Sequence, residues 1–192
     1  ARAFIAATLA AALLFPVAVW AQSAPAPKPG GSLRFATPAD PDGLDPHRSP
    51  ADSTFNITMN IFDSLVATNS KGEIVPGLAT RWYISTNGLV YAFTLRPDVA
   101  FHNGKAFTSA DVKYSLQRMS EKGKSPHAAD YAIIDSVTAP DPTTIRLALK
   151  RPSARFLSDL AYGWAAMVPD GAGDELRQKP MGTGPFRFVE WV

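Results

Sequence analysis

The sequence predicts an α+β fold (mixed α/β) in which hairpins outnumber crossovers. Three observations carry that prediction. Apolar and polar residues alternate through Leu89, Tyr91, Phe93 and Leu95, which is the period of a half-buried strand. Asn87-Gly88, just ahead, supplies the positive φ angles of a tight two-residue hairpin turn. The period then changes: Val112, Leu116 and Met119 recur at helical spacing behind Thr108 and Asp111, a capping box with Asp in place of the usual Glu. Strands and helices interspersed in this way define the class.

Taken in order, residues 1–21 read as a secretory signal peptide. Arg2 is a positive n-region, Phe4 to Trp20 are almost wholly apolar, and Val19-Trp20-Ala21 places small residues at the cleavage positions. A membrane anchor is the competing reading, but a span needs about 20 apolar residues. This run barely reaches that length and is interrupted by Pro16. Residues 22–31 (Q-S-A-P-A-P-K-P-G-G) form a flexible Pro-rich linker. Ser32 to Thr37 is the first strand, and the Pro- and Asp-rich loop 38–50 follows it. Asp52 to Leu65 is a helix, with Phe55, Met59 and Phe62 on one face. Leu65 to Ala67 and Glu73 to Val75 flank a turn at Asn69-Ser70-Lys71-Gly72.

Beyond the 89–95 strand, a short strand carrying Val99 and Phe101 ends at the turn His102-Asn103-Gly104. After the Thr108 helix, Ile133 to Ala139 and Thr144 to Lys150 are strands around the turn Pro140-Asp141-Pro142-Thr143. Arg155 to Leu160 is a short helix, and Ala165 to Val168 a buried apolar run. The final residues, Phe186 to Val192, read as an apolar strand. Bare strand edges invite aggregation, so the run predicts a chain that continues.

Composition excludes several classes of function. No cysteine is present, so disulfides, thiolate metal sites and cysteine lipidation are ruled out, and with them an acylated lipoprotein. The 19 basic and 17 acidic residues nearly balance, and removing 1–21 takes away Arg2 alone, leaving 18 against 17. With no dense basic run, nucleic acid and anionic membrane surfaces are not expected partners. Hydrophobic residues at 46% suffice for a packed core.

Catalytic and metal constellations are missing. His47, His102 and His127 are isolated, with no H-E-x-x-H or H-x-H pair, and no G-x-S-x-G is present. Gly182-Thr183-Gly184-Pro185 lacks the G-K-[ST] ending of a phosphate loop, so its glycines are expected to let the backbone turn sharply. No catalytic residue, metal or cofactor is predicted. Asp111 reads as a helix cap and His102 as part of its Asn-Gly turn. Tyr162 and Trp164, either side of Gly163, are candidates to present a ring to a ligand. Plain core packing is the competing reading.

The runs G-L-V-Y-A-F-T-L-R (88–96), V-A-F-H-N-G (99–104), T-S-A-D-V-K-Y-S-L-Q-R (108–118) and G-T-G-P-F (182–186) together resemble a known signature. It is that of the family 5 extracytoplasmic solute-binding proteins of ABC importers, the dipeptide, oligopeptide and nickel-binding group. The match covers residues 30–192 and only the family's N-terminal part. The resemblance implies the N-terminal lobe of a two-lobed periplasmic-binding-protein fold (type II, cluster C-like), with the second lobe absent from this chain. Residues 32–46 would start the first lobe, 47–180 form an appended α/β subdomain, and 181–192 be the return strand.

It also implies that the loop around Leu44-Asp45-Pro46 and the residues after it approach a solute cleft. Ser49, Asp52, Ser53, Thr54 and Phe55 thereby become ligand-binding candidates, with a helix N-cap as the competing role for Asp52 or Ser53. Arg96 and Arg118, prominent in the resemblance, are expected to form fold-holding ion pairs. The implied function is a periplasmic subunit of an ABC importer. It would capture a small solute, foremost a di- or oligopeptide, and deliver it as a monomer to the permease subunits of the inner membrane. The alternatives are a truncated fragment without transport activity, or a periplasmic peptide-acting enzyme or sensor on the same fold.

Overall fold

The computed structural model describes residues 30–192. The expected signal peptide, and the linker up to residue 29, lie outside the described residues. The chain divides into two units, one ending at Phe35 and one running from Ala36 to Val192. In the first, residues 30–35 are exposed and without strand pairing. The strand expected over Ser32 to Thr37 is not formed, because none of these residues enters a hydrogen-bonded ladder.

The second unit is built on a four-stranded antiparallel sheet of β3 (Ala79–Ile84), β4 (Val90–Leu95), β5 (Ile134–Asp141) and β6 (Thr144–Leu149). A small hairpin of β1 (Val66–Thr68) and β2 (Ile74–Pro76) precedes it. Helices α1 (Asp52–Thr58), α2 (Ser109–Met119), α3 (Ala128–Tyr131) and α4 (Phe156–Asp159), with 3₁₀ turns at Gly163–Ala165 and Asp174–Arg177, complete the regular elements. The strand order is β3-β4-β6-β5. The excursion through α2 and α3 carries the chain past one strand position, and β6 returns to fill it. Alternation sets the faces: Tyr91, Phe93 and Leu95 on β4 and Ile145, Leu147 and Leu149 on β6 are all buried. Val112, Leu116 and Met119 of α2 pack with them in one core, together with Phe156 and Leu160. Each of these large side chains contributes about 1.5–3 kcal/mol by leaving water.

Several expectations hold locally. Asp111 Oδ2 accepts the Thr108 backbone N–H at 2.8 Å, completing the capping box that starts α2. At the β1–β2 turn, Asn69 Oδ1 accepts the N–H groups of Lys71 and Glu73, and Gly72 adopts φ 81°. The β3–β4 turn is wider than two residues. Ser85 pairs with Val90, and only Gly88, at φ 68°, leaves the negative-φ region. A tight two-residue turn of the expected kind needs positive φ at Asn87 as well. Instead Asn87 Oδ1 accepts the Leu89 N–H and Ser85 Oγ the Val90 N–H, which stabilises the longer loop.

Helix α1 stops at Thr58, not Leu65. The carbonyls of Asn60 and Ile61, which a continuing helix would need, accept the N–H groups of Phe186 and Gly184. The segment after residue 180 is therefore packed on this corner without forming the expected strand. His102 pins it further, donating its backbone N–H to Gly182 O (3.0 Å) and Nε2–H to Gly184 O (2.9 Å). A Cβ on Gly182 would lie 1.9 Å from Ile61 O, and one on Gly184 2.7 Å from Ile61 C. These glycines allow backbone to lie against backbone; neither has the positive φ of a sharp turn. Arg96 makes no ion pair among the described residues and donates to Gly77 O at 2.7 Å.

Gly182→Ala is accordingly expected to lower the unfolding free energy by about 3 kcal/mol, measured as a shift in urea midpoint. An unchanged midpoint would mean that this corner is not packed as described.

Candidate functional site

The loop 38–50 is fixed from within and from a distance. Asp45 forms a fork-like ion pair with Arg118 near the C-terminus of α2, with Nη1 2.7 Å from Oδ1, and both side chains are almost fully buried. Burial alone would raise the Asp45 carboxyl, but the hydrogen bonds and charge of Arg118 outweigh it and hold it below its ordinary range. His47 lies in the same cluster. Its backbone N–H donates to Asp45 Oδ1 (3.0 Å) and its Nε2–H to Ala166 O (2.8 Å). Nδ1 is thus left as the acceptor facing Arg118 Nη1 at 3.3 Å. Complete burial, reinforced by the Arg118 charge, lowers the imidazole to about 4, so it is neutral at pH 7.

The polar candidates follow from this anchor. Asp42 Oδ1 accepts the hydroxyls of Ser49 (2.5 Å) and Thr54 (2.9 Å), and these bonds, Ser49's the largest effect, lower its carboxyl. Thr54, which is buried, also has Gly43 O at 2.9 Å. Ser53 Oγ reaches Asp40 O at 3.3 Å. The N-cap of α1 is Ala51, without a side-chain cap, and its N–H donates to Ser49 Oγ at 3.0 Å. Neither Asp52 nor Ser53 caps the helix. Asp52 is exposed in the first turn, a favourable place for a carboxylate at the positive end of the helix.

The aromatic candidates come together. Tyr162 stacks on Trp164 with centroids 4.3 Å apart and planes 14° from parallel, and Phe55 tilts against Trp164 at 6.1 Å. The sequence gives no sign of a third partner, His127, which stacks on Trp164 at 4.4 Å and 7°. It arrives from the start of α3, where no periodicity connects it to residue 164. Gly163 is required here, since a Cβ would lie 2.3 Å from Phe55 Cε2. Phe55, Met59, Tyr162 and Gly163 then line one side of a groove of about 590 Å³, and β1 and β2 supply the other through Val66, Thr68 and Ile74. Trp164 does not line this groove but backs it.

By residue type Asp45, His47 and Arg118 suggest acid–base chemistry, but each is buried and engaged by the others. Among the described residues no three His, Asp or Glu side chains gather as a metal group. No described helix is long and apolar enough to cross a membrane.

Residues 73–192 match the family described as bacterial extracellular solute-binding proteins, family 5 Middle. The chain belongs to this family. It is 34% identical over 189 residues to Di/tripeptide-binding protein 2 of Pseudomonas aeruginosa, covering 83% of this chain and 36% of that protein. Among solved structures it resembles the ABC transporter-associated periplasmic binding protein DppA from Helicobacter pylori, in complex with the peptide STSA. That similarity has TM-score 0.71 and 35% identity, and covers 80% of this chain and 36% of the other. It likewise resembles the binding protein AgaA of A. tumefaciens R10, in complex with agropinic acid. Here the TM-score is 0.75 and the identity 33%, over 80% of this chain and 32% of the other. The chain thus spans about a third of the length of these relatives. Their mixed helix-and-sheet lobe is the fold seen here.

His47 makes the site pH-sensitive in a definite direction. The unfolded imidazole, at its ordinary 6.5, binds a proton before the folded one at about 4. Stability on the order of 3 kcal/mol is therefore fully present above pH 6.5 and lost as pH falls towards 4. In His47→Gln the slope of urea midpoint against pH should flatten between these values. An unaltered slope would show that another group is responsible.

Proposed function

We propose that this chain is the solute-capturing portion of a periplasmic subunit of an ABC importer, with a di- or tripeptide as its solute and the inner-membrane permease subunits as its partners. The observation that carries the reading is the family match over 73–192, joined to 34% identity with a di/tripeptide-binding protein. A binding role without catalysis agrees with the site. Its acid–base groups are buried and satisfied, while its accessible walls are aromatic and aliphatic. Ser49, Asp52, Ser53, Thr54, Phe55, Tyr162 and Trp164 are the proposed contact set. Phe55 and Tyr162 are the best placed, because the hydroxyls of Ser49 and Thr54 already serve the loop.

On this reading residues 47–180 are the appended subdomain of a first lobe, and 181–192 carry the chain back towards that lobe's sheet. The exposed Phe186, Val189 and Trp191 support this, being apolar side chains without a covering partner among the described residues. Residues 1–21 are the export signal. The mature protein acts in the periplasm as a monomer, and hinge closure of its lobes around the solute commits it to the permease.

The test is calorimetric titration of Ala-Ala, Ala-Phe and Ala-Ala-Ala into protein purified from the periplasm of cells expressing the native gene. Dissociation constants at or below about 1 µM are expected, with the peptides recovered intact. Binding of none would sink the peptide assignment, and cleavage of any would return the chain to the enzymes.

A further inference from the structure

The groove between α1 and the β1–β2 hairpin has features that a general solute-binding role does not require. One wall carries Tyr162, which is 46% exposed although one face is covered by Trp164, and Met59, which is 52% exposed. Large apolar groups left this open beside a concavity carry an unfavourable hydration free energy that an apolar occupant would relieve. The wall is also held rigid. Trp164 is sandwiched between Tyr162 and His127. The Tyr162 carbonyl accepts both Ser64 Oγ–H at 3.1 Å and the Ala165 N–H at 2.8 Å. Phe55 rests on the bare backbone of Gly163.

At about 590 Å³ the groove falls within the range of small-molecule sites, about 300–1,000 Å³. Its charge content narrows the ligand class. Among the described residues Asp63 is the only charged side chain lining it, and Asp63 Oδ2 already accepts the Thr183 hydroxyl at 2.8 Å. An anionic side chain would meet a like charge here, and a neutral ring would meet Tyr162, Phe55 and the Met59 thioether.

We propose that this groove is a side-chain subsite that selects an apolar, preferentially aromatic, side chain of the solute, with Tyr162 as its stacking surface and Phe55 and Met59 as its walls. The inference rests on the peptide-binding reading above. It adds a preference that neither the family nor the relatives' names specify. Stacking on a pre-ordered ring costs little further entropy, and aromatic pairs discriminate by about three- to tenfold beyond area burial.

Ala-Phe should therefore bind the protein from its native gene about tenfold more tightly than Ala-Ala. Tyr162→Ala should bring the ratio of the two affinities close to one, weakening Ala-Phe several-fold more than Ala-Ala. Met59→Trp, an exposed change that narrows the groove without touching the core, should weaken Ala-Phe selectively and covers the case in which Tyr162→Ala fails to fold. Equal binding of the two dipeptides, or equal weakening of both by the variants, would overturn the subsite and leave the peptide-binding reading intact. If neither dipeptide binds, the peptide reading fails and the subsite fails with it.

Discussion

The buried ion pair between Asp45 and Arg118 joins two segments 73 residues apart, and the candidate site hangs from it. Taking both charges out of water costs several kcal/mol per ion, which attraction repays only with good geometry and full hydrogen bonding. Both conditions are met. Arg118 engages the two carboxylate oxygens and also reaches Gly173 O at 3.2 Å, while Asp45 Oδ1 further accepts the His47 N–H. Such a pair is weak evidence of net stability, and its effect lies in where it places the chain. It fixes the loop against the end of α2, and His47 extends the clamp to Ala166. From that loop Asp42 orients Ser49 and Thr54, Thr54 lies in α1, and one residue on, Phe55 meets Trp164.

Asp111 does for the other end of α2 what Arg118 does for its C-terminus. Read as a cap, it proves to be a hub. Its buried carboxylate accepts Thr108 N–H, Lys105 Nζ–H at 3.0 Å and the Asp170 N–H at 2.8 Å. Both ends of one 11-residue helix are thus wired to the 166–173 segment that leads out of the Tyr162-Gly163-Trp164 turn. The aromatic stack lies just ahead of this doubly anchored segment in the chain, and Trp164 is parallel to the rings of both Tyr162 and His127.

What the sequence made legible was whatever is decided within a few residues. Strand alternation through Tyr91, Phe93 and Leu95 and the Thr108–Asp111 cap are local, and the structure has both. The errors occur where a distant partner decides. The periodicity of Phe55, Met59 and Phe62 is real, yet α1 stops at Thr58 because residues 184 and 186 take the next carbonyls. Gly182 and Gly184 read as turn glycines because nothing nearby shows Ile61 backbone lying against them. Of the site, Phe55 and the Tyr162–Trp164 pair were open to view as two separate sets of candidates, but their meeting was not. The stacking of His127 and the groove wall from β1 and β2 were not, since both depend on tertiary packing across dozens of residues.

The same packing bears on how much a single lobe of this kind can do. Good sites bury about 70–90% of a ligand, and an open groove on one lobe covers about half of that. If lobe closure contributes half of the roughly −8 kcal/mol of a micromolar complex, the open lobe alone binds at about millimolar strength. On the proposed two-lobed reading, loose encounter followed by closure would gain selectivity if the first lobe already favoured one ligand before the second arrived. Choice at millimolar strength cannot rest on many contacts, and it needs a surface already in its bound shape. A tyrosine held between a stacked tryptophan and two hydrogen bonds to its own carbonyl is such a surface. The loop anchor and the aromatic wall meet through α1, where Thr54 bonds Asp42 and the next residue, Phe55, packs on Trp164.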